Sequence, residues 1–232
     1  MHELPSGSLI HGVLPTGETI GADADGRLRC LEVAMRALGI DERMVGSRVL
    51  DIGSNACHWP LLYRKWGAAV VHCLEGRPEF LRFARTFGFD MDVDDLRQYT
   101  PAEKYDTLSA LGMIYHLAEP WKHLRRIYDA ADARCLIVES QIWAYPWLYA
   151  EEACDGTMAL EDAEIPRLTR EGYLKGAEAA GFELCQEVSG LTWITQFPIG
   201  TDGKSEKTMS TRALWVLQNA QPKKWDSLEF AK

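Results

Sequence analysis

No Gly-x-Gly-x-x-Gly run follows an apolar strand in this chain, so the backbone cradle that passes a dinucleotide pyrophosphate is missing. No apolar run approaches the roughly 18 residues needed to span a bilayer. The opening Met1-His2-Glu3-Leu4-Pro5 lacks the basic and apolar regions of a secretory signal, and the expected address is cytoplasmic. There is no C-x-x-C: Cys30, Cys57, Cys73, Cys135, Cys154 and Cys185 are scattered, without paired zinc spacing, and are expected to be reduced and mostly in the core. His2, His11, His58, His72 and His123 show no ligand spacing either, so no metal is expected. Acids outnumber bases, 34 to 25. The formal net charge of -9 repels polyanions, which argues against a nucleic-acid partner unless a locally basic face is built. Internal repeats, low-complexity tracts and linkers are absent, so residues 1–232 read as one domain.

The rest is ordinary for a globular chain: 232 residues, 47% hydrophobic and 25% charged. Arg48-Val49-Leu50-Asp51-Ile52-Gly53-Ser54-Asn55 reads as a buried strand breaking into a tight turn. Cys57 to Trp66 has helix character, and Ala68 to Leu74 is a second apolar β-type run that ends on Glu75. A strand, a small-residue turn, a helix and a second strand closed by an acid can hold an adenosine ribose. The turn lets backbone N–H groups approach, and the acid accepts from two ribose hydroxyls.

The rhythm continues along the chain. Leu28, Leu31, Ala34, Met35 and Leu38 recur at helical spacing before Gly39, a covering helix ahead of the first strand. Tyr105 to Gly112 reads as a strand, Trp121 to Ala133 as an amphipathic helix, and Cys135 to Ser140 as a strand. Thr169 to Gly181 is a further helix, with Phe182 to Val188 and Thr211 to Gln218 as the last strands. Strands alternating with helices predict an α/β, Rossmann-like, doubly wound and mostly parallel sheet. The expected parts are a cap segment over 1–47, a cofactor half over 48–140, an aromatic insertion over 141–168 and the rest of the sheet over 169–232.

The turn resembles motif I of the class I S-adenosylmethionine-dependent methyltransferases, roughly D-I-G-x-N/G-x-G: Asp51, Gly53 and Asn55 match, and Cys57 stands at the third glycine. A second anchor is Tyr105-Asp106-Thr107-Leu108 through Leu111-Gly112-Met113-Ile114-Tyr115-His116-Leu117, with Pro120 and Leu124 following. It is similar to the segment after the fourth strand of these enzymes. With Leu14-Pro15-Thr16-Gly17-Glu18-Thr19-Ile20-Gly21, the likeness covers roughly Leu14 to Glu139. The branch it most resembles contains tRNA wobble-uridine methyl and carboxymethyl transferases and many small-molecule methyltransferases.

The resemblance implies S-adenosyl-L-methionine as cofactor. Asp51, Gly53 and Asn55 would line its methionine end with Leu111 and Gly112 near it, Glu75 would hold the ribose, and Gly76 and Arg77 would lie beside it. It also implies that Asp92 accepts from the adenine amino group, with Val93 against the ring, although Asp90 or Asp94 could serve equally. His116 is the candidate catalytic base, since an imidazole near its ordinary pKa can take a proton from a hydroxyl or amine. The alternative is that it orients the turn, because displacement at a sulfonium can run on orientation alone.

After the fifth strand come Trp143, Tyr145, Trp147 and Tyr149, four rings in seven residues, followed by a stretch from Glu151 to Glu164 whose only charges are acidic. With Tyr115, Trp143, Tyr145 and Trp147 are the candidate acceptor-binding residues, suited to a planar or amphipathic small molecule. A helix packed on the sheet edge or a dimer contact is the other reading. Trp193 to Ser210 is expected to be either a mobile cover or a plain hairpin. The expected activity is methyl transfer to an O or N atom of a small molecule. The alternatives are a tRNA uridine acceptor and a non-catalytic scaffold.

Overall fold

The structure, a computed structural model, describes residues 25–142, 147–149, 165–199 and 204–220. Side chains are described for these except at 25–30, 147–149, 165–167, 192–199 and 204–211. In chain order the elements are α1 (Asp25–Ala37), α2 (Ile40–Met44), β1 (Arg48–Ile52), α3 (His58–Lys65), β2 (Val70–Glu75), α4 (Leu81–Phe87), β3 (Asp90–Val93) and β4 (Thr107–Leu111). There follow α5 (Pro120–Ala131), β5 (Cys135–Ile142), β6 (Trp147–Tyr149), β7 (Ile165–Arg167), α6 (Arg170–Ala179), β8 (Phe182–Ile199) and β9 (Lys204–Asn219).

One seven-stranded sheet runs β3-β2-β1-β4-β5-β9-β8. The pairs from β3 to β5 are parallel, while β9 lies antiparallel between β5 and β8. The order reverses between β1 and β4, and the carboxyl ends of those strands border the crevice where ligands of open α/β sheets bind.

Helices cover both faces. Leu50, Leu108, Leu136, Val138 and Trp215 pack against α5 and α6 residues such as Leu124, Ile127 and Tyr173. On the opposite face Val49, Ile137 and Val216 pack with Leu31 and Met35 of α1 and with Leu62 and Tyr63 of α3. Central strands covered on both sides are largely apolar, so β1 and β4 do not alternate, and the polar residues buried in them, Asp51, Thr107 and Ser109, are exceptions. Truncating a fully buried leucine such as Leu108 costs about 2–5 kcal/mol in this setting.

The expected helices and strands are present with shifted ends. Pro120 opens α5 at its first turn, and Thr169 caps α6 by accepting from the Gly172 N–H at 3.2 Å. The strand expected from Tyr105 begins at Thr107, because Asp106 Oδ2 takes the Arg48 N–H at 2.9 Å and closes the lower edge. The acidic run around Asp92 is a strand, β3, paired to β2 in the register Leu74↔Asp92 and Glu75↔Val93. The described parts of the stretch from Trp193 to Ser210 pair as the two arms of a hairpin, Trp193 with Ser210 and Ile199 with Lys204, so β8 and β9 extend well past the strands read from the sequence. Trp147 to Tyr149 pairs with Ile165 to Arg167 in a small second sheet that periodicity did not foretell. Among the described residues no helix is long and apolar enough to cross a membrane.

Candidate functional site

The turn after β1 is built on left-handed backbone. Gly53 has φ 74°, Asn55 φ 46° and Cys57 φ 64°. At Gly53 a Cβ would meet Met113 Cβ at 3.2 Å, so both the conformation and the close approach of the segment after β4 demand glycine. Cys57 occupies its third-glycine position in a conformation costing an L-residue roughly 1 kcal/mol. Its side chain is fully buried, in a cluster that includes Cys73, Phe80 and Phe83.

Asp51 lies in β1 opposite Cys73 of β2 and Ser109 of β4, and is 1% exposed. Among the described residues no hydrogen-bond partner of good geometry meets either carboxylate oxygen, and the same holds for the buried Asn55 Oδ1. Two hydroxyls lie nearby: Ser54 Oγ donates to the Asp51 carbonyl at 2.7 Å, and Ser109 Oγ shares a hydrogen bond with Tyr63 Oη at 2.6 Å. Burial pushes the Asp51 carboxyl up to about 7, the two serines moderate that rise, and the charge of Glu75 adds to it.

Glu75 closes β2, 4% exposed, and its oxygens are well occupied. Oε2 accepts from the Asn55 N–H at 2.8 Å, and Oε1 from the Arg77 N–H at 3.2 Å. The Arg77 guanidinium adds a side-on fork, Nε to Oε1 at 2.8 Å and Nη2 to Oε2 at 3.4 Å. Turn and ribose candidate are thus one unit, joined by the Asn55 N–H. Gly76 lies between these partners.

Asp92 is engaged by Tyr99 Oη at 2.8 Å and lies 3.0 Å from His72 Nε2. Val93 beside it is exposed, as are Asp90 and Asp94, and Asp94 Oδ1 takes the Asp95 N–H at 2.7 Å. At the end of β4, Leu111 is buried and Gly112, φ 73°, donates its N–H to the Glu139 carbonyl at 3.0 Å. A single 3-10 turn, Ile114–His116, then presents Tyr115 and His116 with ring centroids 4.3 Å apart. Trp143 and Tyr145 lie outside the described residues, and Trp147 is placed only through its backbone pairing with Arg167.

One pair of residues at this edge was not singled out from the sequence. Glu139 of β5 is fully buried, Arg212 of β9 is 6% exposed, and Arg212 Nη1 donates to Glu139 Oε1 at 3.0 Å. Arg212 Nη2 reaches Tyr115 Oη at 3.4 Å, and its guanidinium lies 4.9 Å from the Tyr115 ring centre. The signal available was a lone acid in Cys135-Leu-Ile-Val-Glu-Ser140 and a lone base in Thr211-Arg-Ala-Leu-Trp-Val-Leu217, each out of place in a buried strand. Among the described residues no group of three or more potential metal ligands gathers.

No family model matches the chain, and no curated protein matches it. Solved structures do. An N1-methyltransferase of 1,6-didemethyltoxoflavin from Burkholderia thailandensis, with its substrate and S-adenosylhomocysteine bound, is 14% identical with a TM-score of 0.57, over 83% of this chain and 77% of that one. The magnesium protoporphyrin IX methyltransferase of Synechocystis with bound S-adenosylmethionine is 16% identical, TM-score 0.55, over 84% and 80%. A proposed RNA methyltransferase from Pyrococcus horikoshii is 14% identical, TM-score 0.56, over 85% and 84%. With these and the strand order above, the chain has the Rossmann-like fold of the class I S-adenosylmethionine-dependent methyltransferases.

Proposed function

We propose that residues 1–232 act as one S-adenosylmethionine-dependent methyltransferase domain that modifies an O or N atom of a small molecule. The observation that carries the cofactor is the set of buried acceptors without donors, both Asp51 oxygens and Asn55 Oδ1, on the turn tied to Glu75. Buried acceptors left unpaired are costly, and a ligand bringing N–H donors relieves that cost. An amino-acid ammonium group fits this demand. Asp51 and Asn55 would hold that end, Gly53 would let backbone approach, and Leu111 and Gly112 would border it. Glu75 would accept from the ribose diol, with Gly76 and Arg77 alongside. Asp92 or Asp94 would accept from the adenine amino group, with exposed Val93 against the ring. The bound cofactor supplies an already electrophilic methyl group on a sulfonium.

The chain's remaining work is to orient the acceptor and to receive a proton. His116, on the turn after β4, would do the latter, and Tyr115 beside it contacts Arg212. Trp143, Tyr145 and Trp147 would supply the acceptor's apolar walls. The net charge of -9 and the acidic stretch after these rings favour a small molecule over RNA. The structural likeness to a proposed RNA methyltransferase keeps a tRNA uridine as the second reading. Calorimetric titration with S-adenosylhomocysteine tests the cofactor, and absence of binding would favour the scaffold alternative. The acceptor class is tested with radiolabelled S-adenosylmethionine: methylation of bulk tRNA, with affinity falling steeply as salt rises, would replace the small-molecule reading.

A further inference from the structure

We infer that Arg77 is an internal competitor for the ribose subsite, a residue that lowers cofactor affinity instead of adding to it. This rests on the cofactor reading above. A carboxylate has about four acceptor positions, two on each oxygen. At Glu75 one position on each oxygen is taken by rigid backbone, the Asn55 N–H on Oε2 and the Arg77 N–H on Oε1. These bonds fix the orientation of the carboxylate. The remaining position on each oxygen is taken by the guanidinium, through Nε and Nη2.

Two parallel donors spanning both oxygens of a carboxylate are also what a vicinal diol presents. The guanidinium fork and the two ribose hydroxyls therefore claim the same pair of acceptor positions. Both cannot hold them at once. Glu75 is 4% exposed in its side chain and Arg77 26%, so the arginine is the member nearer solvent and the one an incoming diol would displace. Its guanidinium also lies 4.3 Å from the Phe80 ring centre, a contact that holds it over the turn in the closed arrangement. Ribose capture by this chain is an exchange of one bidentate partner for another, and the net gain is the difference between them.

The test uses the full-length protein and S-adenosylhomocysteine as probe, by calorimetry and thermal shift, with Arg77→Met and Arg77→Lys. Arg77→Met should bind about fivefold tighter than wild type, and Arg77→Lys should fall between them because an ammonium cannot fork. Ligand-free Arg77→Met should melt no higher than wild type, since Glu75 loses partners, yet gain more in melting temperature on saturation with the probe. Wild-type affinity should rise as sodium chloride weakens the ion pair, and this dependence should vanish in Arg77→Met. Weaker or unchanged binding by Arg77→Met would overturn the inference and make Arg77 a cofactor ligand or a bystander. Absence of binding by wild type and both variants would instead defeat the cofactor reading on which the inference stands.

Discussion

Two carboxylates at the functional edge are equally removed from water and are treated oppositely. Asp51 on β1 is 1% exposed and has no donor on either oxygen, whereas Glu139 on β5 is fully buried and carries the Arg212 guanidinium. By strand register their side chains emerge on the same face of the sheet, with Ser109 opposite Asp51 and Leu111 opposite Glu139. The difference teaches where the protein spends structure and where it reserves capacity. At β5 an acid is neutralised from within and used to hold Tyr115. At β1 an acid is kept expensive, at the strand end that leads into a strained turn carrying a second acceptor, Asn55 Oδ1, without a donor among the described residues. A group left costly in the ligand-free protein is one whose cost a ligand can remove.

The comparison can be broken first at β5. Arg212→Ala leaves Glu139 buried without its counter-charge and should destabilise the fold by about 3–5 kcal/mol in urea unfolding. Combining Arg212→Met with Glu139→Met should recover most of that loss, because an apolar pair avoids the desolvation cost. Equal loss in the single and double variants would mean that packing, not charge, sets the effect.

Glu75→Ala addresses the acid that closes β2, whose oxygens carry the Asn55 and Arg77 donors. Its removal should weaken S-adenosylhomocysteine binding by about 2 kcal/mol, the lower end for a lost charged acceptor, because wild type must first displace Arg77. Wild-type affinity in that variant would remove the ribose assignment.

At β1 the sign of a pH effect distinguishes the two acids. The folded Asp51 carboxyl sits near 7, above its unfolded value near 3.9, so the folded state holds the proton more tightly. Its contribution to stability is fully present below the unfolded value and is lost as pH rises through about 7. Stability should fall by about 2 kcal/mol between pH 5 and pH 8 on this account, and Asp51→Asn should flatten that slope. A slope unchanged in Asp51→Asn would show that the acid is ionised and solvated in the folded protein. Smallest of all should be Cys57→Gly: relief of the left-handed backbone offsets the lost buried thiol, and cofactor affinity should change by less than about 0.5 kcal/mol. A large gain would identify the side chain as an obstruction.

The pattern of the sheet was legible because buried parallel strands must be apolar and helices must be amphipathic, and both periods are written locally. Leu50, Ile52, Leu74 and Leu108 lie in the core that those runs foretold. The turn at Gly53 was legible for a similar reason, since small residues between a strand and a helix have few alternatives. β3 escaped notice because Asp90-Met91-Asp92-Val93 is an edge strand whose acids face solvent or polar partners and carry no hydrophobic signature. The sequence reads as strands over Phe182 to Val188 and Thr211 to Gln218 and leaves Trp193 to Ser210 open between a cover and a hairpin; backbone pairing that runs on to Ile199 and Lys204 decides for the hairpin.

The sequence by itself determined the alternation of strands and helices, the tight turn at Gly53 and the acid at the end of β2. Each depends on the character of a few neighbouring residues and on short-range sterics. Only the tertiary structure decided how the charges pair. Glu139 meets Arg212 through the antiparallel register of β5 and β9, in which Gln141 lies opposite Arg212 and Glu139 opposite Leu214, seventy-three positions apart along the chain. Ser54 Oγ donates to the Asp51 carbonyl and Ser109 Oγ is shared with Tyr63 Oη, so the carboxylate is buried beside hydroxyls that already have partners, and Arg77 folds back on Glu75 because the strand end and the turn converge there. Burial and hydrogen-bond competition are properties of packed neighbours, and no local run of residues encodes them.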